Sequence, residues 1–184
     1  MRVIAGEKRH LILKTLSGFD IRPTTDKIKE TLFNMIQFDI ANNNFLDLFA
    51  GSGAIGIEAL SRGAKTAVFV DNNINAINVI KQNLSHTKLD DKSYVLHSDV
   101  ISAFKKINDL NINFKFVFID PPYNLKLYNI VLDALNNYKF VNNDTILIVE
   151  SNINENFNFV NQIGYKIIKE KKYKNNKHTF LQRS

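Results

Sequence analysis

The 184-residue chain is 45% hydrophobic and 23% charged, proportions that suit one globular domain with a sizeable core. It contains no cysteine, which excludes disulfides, cysteine-held zinc or iron–sulfur centres and any thiol nucleophile. The net charge of +6 is concentrated at the ends: residues 1–30 hold seven basic and four acidic residues, residues 164–184 hold seven and one, and the rest is net acidic.

Basic ends around an acidic middle point to a polyanionic partner, although a solvated lysine-rich surface has the same composition. No apolar run approaches the roughly 18 residues of a membrane span, and MRVIAGEKRH has no signal-peptide shape. The expectation is a cytoplasmic protein with no membrane partner.

In chain order, residues 1–44 read as an N-terminal extension. It has a short strand-like start, then a helix over Thr24–Ile36 with Ile28, Leu32, Phe33 and Ile36 as its apolar stripe. Residues 45–184 read as the main domain. Apolar runs at Phe45–Phe49, Thr66–Val70, Ser93–His97, Phe114–Ile119 and Thr145–Val149 predict strands, several buried on both faces. Helix-period segments at Ala54–Arg62, Asn73–Leu84, Val100–Ile107 and Leu127–Tyr138 fall between them, with Gly63 placed to end the first. Tyr165–Glu170 and His178–Gln182 predict a final hairpin. The fold class is therefore α/β: a doubly wound, Rossmann-like, mostly parallel seven-stranded sheet with a C-terminal antiparallel hairpin.

Three motifs carry chemistry. The first, DLFAGSGAIG, places Gly51, Gly53 and Gly56 between a strand and a helix, where backbone N–H groups can approach a ligand. Asp71, at the end of the next strand, suits two ribose hydroxyls. Together they predict a nucleoside-containing cofactor, held by Ala50, Gly51, Ser52, Gly53 and Gly56 of the loop and by Asp71 and Asn72. NAD and S-adenosyl-L-methionine both fit that topology. Asp47 at the mouth would repel a pyrophosphate and suits the ammonium of a methionine, which favours the second. Asp99, followed by Val100, can contact an adenine amine or cap the next helix, and the two roles are compatible.

The third motif is FKFVFIDPPYN. Asp120 closes the fourth strand, at the sheet edge where ligands bind in such folds. Pro121 and Pro122 stiffen the turn and remove two N–H donors. An exocyclic amine on a base needs two acceptors, which Asp120 and the Pro121 carbonyl can supply, while Tyr123 can stack on the base. Methylation of that amine needs neither a metal nor a covalent intermediate. A strand-ending turn is the alternative reading of DPPY. The histidines His10, His86, His97 and His178 show no ligand spacing, so no metal is expected.

Over nearly its whole length the chain resembles the bacterial family that makes N2-methylguanine in 16S ribosomal RNA of the small subunit. The residues that carry the resemblance are MRVIAGEKR, IRPTTDKIKETLFN, LDLFAGSGAIGIEALSRGA, IDPPY and the pair Val149–Glu150. RPTTDKIKETLFN, at Arg22–Asn34, is the most specific; the glycine loop and DPPY are shared with many amino-methyltransferases. The resemblance implies a class I methyltransferase fold using S-adenosyl-L-methionine, with Asp120, Pro121 and Tyr123 in the catalytic motif and Asp71 and Asp99 on ribose and adenine. It also implies that Arg22 and Thr24 lie near the active site. The sequence departs from the family in a short basic N-terminal stretch, with Glu7 inside it and His10 where similar chains often carry glycine.

Little chain lies outside the catalytic part, so the substrate is expected to be read by shape and backbone, as 16S RNA in a small-subunit particle allows. Lys8, Arg9, Lys14 and Arg22, with Lys171, Lys172, Lys174 and Lys177, are candidate phosphate contacts. The rival expectations are adenine-N6 or cytosine-N4 methylation of DNA, a non-catalytic RNA-binding assembly factor of the same fold, and, most remote, an NAD-linked oxidoreductase. A monomer is expected.

Overall fold

The computed structural model describes residues 1–16, 26–122 and 127–184. Helix α1 (Asp26–Ile40) precedes four strand–helix steps and a fifth strand: β1 (Asn44–Asp47), α2 (Ala54–Ser61), β2 (Thr66–Asp71), α3 (Ile74–Thr87), β3 (Ser93–His97), α4 (Val100–Asp109), β4 (Phe116–Ile119), α5 (Leu127–Leu135) and β5 (Ile146–Asn152). The hairpin β6 (Tyr165–Lys172) and β7 (Asn176–Arg183) ends the chain. The seven strands lie in the order β3-β2-β1-β4-β5-β7-β6. The first five run parallel and the hairpin pairs antiparallel to β5. This is the doubly wound sheet that the alternation predicts.

The central strands read as continuous apolar runs because both of their faces are covered. All four residues of β4, Phe116 to Ile119, are buried. Their side chains divide between two cores. Phe45, Phe69, Phe116, Phe118 and Ile148 pack under α1, α2 and α3, and Leu46, Val68, Val117, Ile119 and Val149 under α4 and α5. Each such side chain stabilises the fold by about 1.5–3 kcal/mol. Gly63 follows the last turn of α2 at φ 94°, the left-handed conformation in which a glycine ends a helix.

The N-terminal segment shares the first core through Val3, Leu13, Leu32, Phe33, Ile36 and Ile40. Its strand-like start is a single bridge, Arg2 to Ile12, because a turn fills the residues between them. A buried carboxylate pins it. Glu58, on α2, accepts from the amides of Ile4 and Ala5 at 2.8 and 3.0 Å, and from Lys29 Nζ and Arg62 Nε at 3.2 and 2.8 Å. Lys29 and Glu58 are both fully buried. Burial pulls the Lys29 ammonium down, and the Glu58 charge opposes that. Gly6, at φ 82°, lies against the Ser61 carbonyl so closely that a Cβ would stand 1.8 Å from its oxygen. Much of MRVIAGEKR is therefore an architectural clasp.

Candidate active site

Side chains two apart on a strand share a face. Continuing the face that carries Phe45, Phe69, Phe118 and Ile148 leads to an acid at the C-terminal end of each of four adjacent strands: Asp71 on β2, Asp47 on β1, Asp120 just past β4 and Glu150 on β5. Phe118 pairs with Ile148, so Asp120 and Glu150 stand level. Four acids on one sheet edge make that edge the candidate site.

The glycine loop spans the gap between β1 and α2. The Ala50 amide donates to the Val70 carbonyl at 2.9 Å and the Gly51 amide to Asp71 Oδ2 at 2.8 Å. The Asn73 amide takes the other oxygen, Oδ1, at 2.8 Å. Burial raises the Asp71 carboxyl above its ordinary value, opposed by the amides of Asn73, Gly51 and Asn72. Gly51 and Gly53 sit at φ 54° and 77°. Nothing lies within 4 Å of where a Gly51 Cβ would point, so its backbone faces open space. Gly56 serves packing instead: a Cβ there would stand 2.3 Å from the Phe69 ring.

Asp47 lies beneath the loop, 1% exposed, and its Oδ2 accepts from the Gly56 amide at 3.3 Å. Burial pushes its carboxyl up to about 7, with the Asp71 charge adding to the rise and the amides of Gly56 and Phe49 opposing it. In this structure it holds the loop from below. Asp99 is exposed and caps α4, accepting from the Ser102 amide at 3.0 Å, which lowers its carboxyl. Val100 behind it is buried and Asn72 is exposed.

Asp120 is half-buried, Pro121 buried and Pro122 exposed. Desolvation raises the Asp120 carboxyl well above its ordinary value, and the charges of Glu150 and Asp47 raise it further. Tyr123, Arg22 and Thr24 lie outside the described residues.

Two partnerships escaped the sequence reading. Asn83, on α3 and 1% exposed, accepts from the Lys14 amide at 2.8 Å and donates to the Ser52 carbonyl at 2.8 Å and the Lys14 carbonyl at 3.0 Å. It ties the glycine loop to the N-terminal segment, and a mid-helix asparagine gives no local sign of that. Glu150 meets His178, 28 residues away, with Oε2 3.0 Å from Nε2. His178 is fully buried, and the alternation of a half-polar hairpin did not show it.

The basic candidates separate. Lys171, Lys172 and Lys174 are exposed near the β6–β7 turn. Glu150 pairs with His178 and Asn152 with Asn176, so that turn lies beyond the C-terminal end of β5, on the edge that carries the acids. Arg9 and Lys14 are exposed, and Lys8 is partly covered and paired with Glu7 at 2.7 Å. Lys177 is corrected: it is buried, paired with Glu170 at 2.6 Å and set over the Phe157 ring at 5.5 Å, so it belongs to the packing of the hairpin. A cleft of about 580 Å³ lies between the N-terminal turn and α1, lined by Arg2, Arg9, His10 and Lys27 with Asp26 and Glu30 among others. Its lining includes neither the loop nor a strand-end acid.

The family described as conserved hypothetical protein 95 matches residues 1–182. A Bacillus subtilis (strain 168) protein named "Putative rRNA methyltransferase YlbH" is 39% identical over 150 residues, 82% of each chain. Ribosomal RNA small subunit methyltransferase D of Haemophilus influenzae is 34% identical over 151 residues, 82% of this chain and 78% of that one. A solved Escherichia coli structure titled "Putative methyltransferase yhhF" superposes with a TM-score of 0.82 at 28% identity, covering 100% of this chain and 97% of the other. The match over almost the whole length, together with a sheet order and a glycine loop of the methyltransferase type, places the chain in the conserved hypothetical protein 95 family.

Proposed function

We propose that the protein is an S-adenosyl-L-methionine-dependent methyltransferase that acts on the exocyclic N2 amine of a guanine in 16S ribosomal RNA. The observation that carries this reading is the placement of Asp120, followed by two prolines, on the same sheet edge as the glycine loop and Asp71. The fit to the cofactor rests on the cradle itself: open space at Gly51, the half-buried Asp71 carboxylate bonded to the loop, and an exposed Asn72 beside them. Asp71 would take the ribose hydroxyls, Asp99 and Val100 the adenine, and Ala50 to Gly53 the backbone approach. Asp47 is available to the methionine ammonium in addition to its hold on the loop.

When bound, the cofactor would supply an electrophilic methyl on a sulfonium, leaving as S-adenosylhomocysteine once the methyl is on the amine nitrogen, with one amine proton released to solvent. The chain's own part is positioning. Asp120 and the Pro121 carbonyl accept the two amine hydrogens and aim the nitrogen lone pair, and Tyr123 stacks on the base. Burial of the acid makes those hydrogen bonds stronger than they would be in water. The guanine is drawn out of its stack to reach this edge.

The relatives' names support ribosomal RNA as the substrate class. The exposed Lys171, Lys172 and Lys174 beside the acids, with Lys8 and Arg9 at the other end, suit phosphate contacts. Residues 1–44 would serve as the substrate-facing extension of the catalytic part. Asp120→Ala tests the reading. Transfer to small subunits should be lost while affinity for S-adenosylhomocysteine stays within a few-fold of wild type. Transfer by that variant at the wild-type rate would overturn it.

A further inference from the structure

Strand β6 ends the sheet order with β7 as its one neighbour, and its residues Lys166 to Lys172 are all exposed. The register with β7 fixes the face that each of them takes. Lys166 lies opposite Gln182, Lys169 opposite Phe180 and Lys171 opposite His178. Phe180 belongs to the first core, and the His178 ring meets Phe118 of that core edge-on at 6.0 Å. Alternation puts Gln182 on the same face. The three lysines therefore share the sheet face that carries Asp47, Asp71, Asp120 and Glu150. Glu170 and Lys172, opposite Thr179 and Lys177, take the other face. There Glu170 Oε1 accepts from Lys177 Nζ at 2.6 Å and from Thr179 Oγ1 at 3.2 Å. The Lys177 hydrogen bond lowers the Glu170 carboxyl, and the Lys172 charge adds to that.

A β-bulge makes this sorting. The pairing slips by one residue between Ile167 and Lys169, so Ile168 has no register partner on β7. Strict alternation would set Lys166 beside Ile168, Glu170 and Lys172, and would turn Lys169 and Lys171 to the opposite face. The bulge instead gives one face of β6 three lysines and no acid. Among the described residues, no carboxylate lies within ion-pair distance of Lys166, Lys169 or Lys171. We propose that this face of β6 is a docking track for the phosphodiester backbone that flanks the target guanine, an inference that rests on the proposed RNA substrate. Neighbouring lysines of the track stand about 7 Å apart, two residue rises, which is of the order of the step between phosphates on one strand. Lys171, His178 and Glu150 form one row across the sheet, and Asp120 stands level with Glu150. The track thus begins about 15 Å from Asp120, three strand spacings away. The acids at the sheet edge repel a polyanion, and cations to one side of them offset that repulsion.

An edge strand also gains from lysines and a bulge because both discourage pairing with another chain. Charge on either face serves that end. It does not require the acid of β6 to sit on the far face, already paired with Lys177, while the face beside the catalytic edge holds lysines alone. A phosphodiester backbone carries one negative charge per nucleotide at a regular step, which lysines on alternate positions of a strand can follow. An acidic protein surface has no such repeat.

The test compares two full-length variants with the same loss of charge. One is Lys166→Gln with Lys169→Gln and Lys171→Gln. The other is Lys105→Gln with Lys106→Gln and Lys139→Gln, exposed residues on the side of α4 and α5. Each is titrated with 16S RNA from cells lacking this protein at several salt concentrations, and transfer to small subunits from the same cells is measured in parallel. The β6 variant should bind RNA roughly tenfold more weakly, with a salt slope shallower by about 2, at about 0.7 for each single-strand phosphate contact. Its KM for subunits should rise while kcat and affinity for S-adenosylhomocysteine hold. The other variant should change the slope by less than half as much. Lys171→Gln alone should change it more than Lys172→Gln, its sequence neighbour on the opposite face. Equal losses in the two triple variants, or in Lys171→Gln and Lys172→Gln, overturn the track, and wild-type transfer to 16S RNA would leave the proposed reaction standing. A raised KM for subunits with RNA binding unchanged also overturns it, in favour of a protein surface of the particle. If wild-type protein methylates no RNA while the β6 variant alone loses slope, the track stands and the proposed reaction fails.

Discussion

The Gly51 amide donates to Asp71 Oδ2 at 2.8 Å, so the glycine loop and the strand-end acid form one unit across two strands. Neither would be correctly placed without the other. Asp71→Ala should therefore weaken S-adenosylhomocysteine binding by about 10- to 100-fold, the cost of about 1.5–3 kcal/mol for hydrogen bonds to a charged acceptor. Calorimetric titration checks it, and unchanged affinity would remove Asp71 from the cofactor site.

Two glycines of that loop should respond in opposite ways. Gly56→Ala forces a methyl into the Phe69 ring and should destabilise the fold by about 1–3 kcal/mol. Gly51→Ala meets no neighbour and carries only the strain of its positive φ, about 1–2 kcal/mol. Because its methyl points into open space beside Asp71, it should reduce cofactor affinity more than Gly56→Ala does. Urea unfolding and ligand titration of the two variants give the comparison.

The buried clasp of the N-terminal segment should be costly to break. Glu58→Gln removes the carboxylate charge 3.2 Å from the fully buried Lys29 ammonium, which keeps its hydrogen bond to the Arg2 carbonyl at 2.6 Å. A loss of about 3–5 kcal/mol is expected, read from denaturant unfolding. Glu58→Gln with Lys29→Met should recover part of it.

Much of this architecture was legible because both signals it needs are local. Phe116–Ile119 is apolar on consecutive residues since helices cover both faces, and the acids appear where each run stops. What was not legible depends on distant partners. Lys29 falls on the buried side of α1 only because Glu58 waits there. Strand β5 continues past Val149 to Asn152 because β7 pairs with Glu150, Ser151 and Asn152. Lys177 looks like a surface base until Glu170 and Phe157 enclose it. Helix α1 runs to Ile40, a turn beyond the Ile28–Ile36 stripe, because Ile40 is buried against the first core.

The pH dependence of stability follows from the raised acids. Asp47 has a folded value of about 7 against 3.8 for the free group, so the folded state binds its proton more tightly. That contribution is full below the unfolded value and is lost as pH rises through about 7. Asp71 and Asp120 are shifted in the same direction. The ligand-free protein should lose stability between about pH 4 and pH 7, by up to about 1.4 kcal/mol per pH unit for each group titrating. Asp47→Asn should flatten that slope. Urea midpoints measured across pH check it, and an equal slope in the variant would contradict the burial of an ionising Asp47.

The most direct measurement takes small subunits and 16S RNA from cells lacking this protein and incubates each with purified enzyme and methyl-labelled S-adenosyl-L-methionine. Mass spectrometry then identifies the labelled nucleoside. N2-methylguanosine in 16S RNA, absent with Asp120→Ala, is the expected result. Label in a different nucleoside, or transfer that persists without Asp120, would contradict an amine site built on that sheet edge.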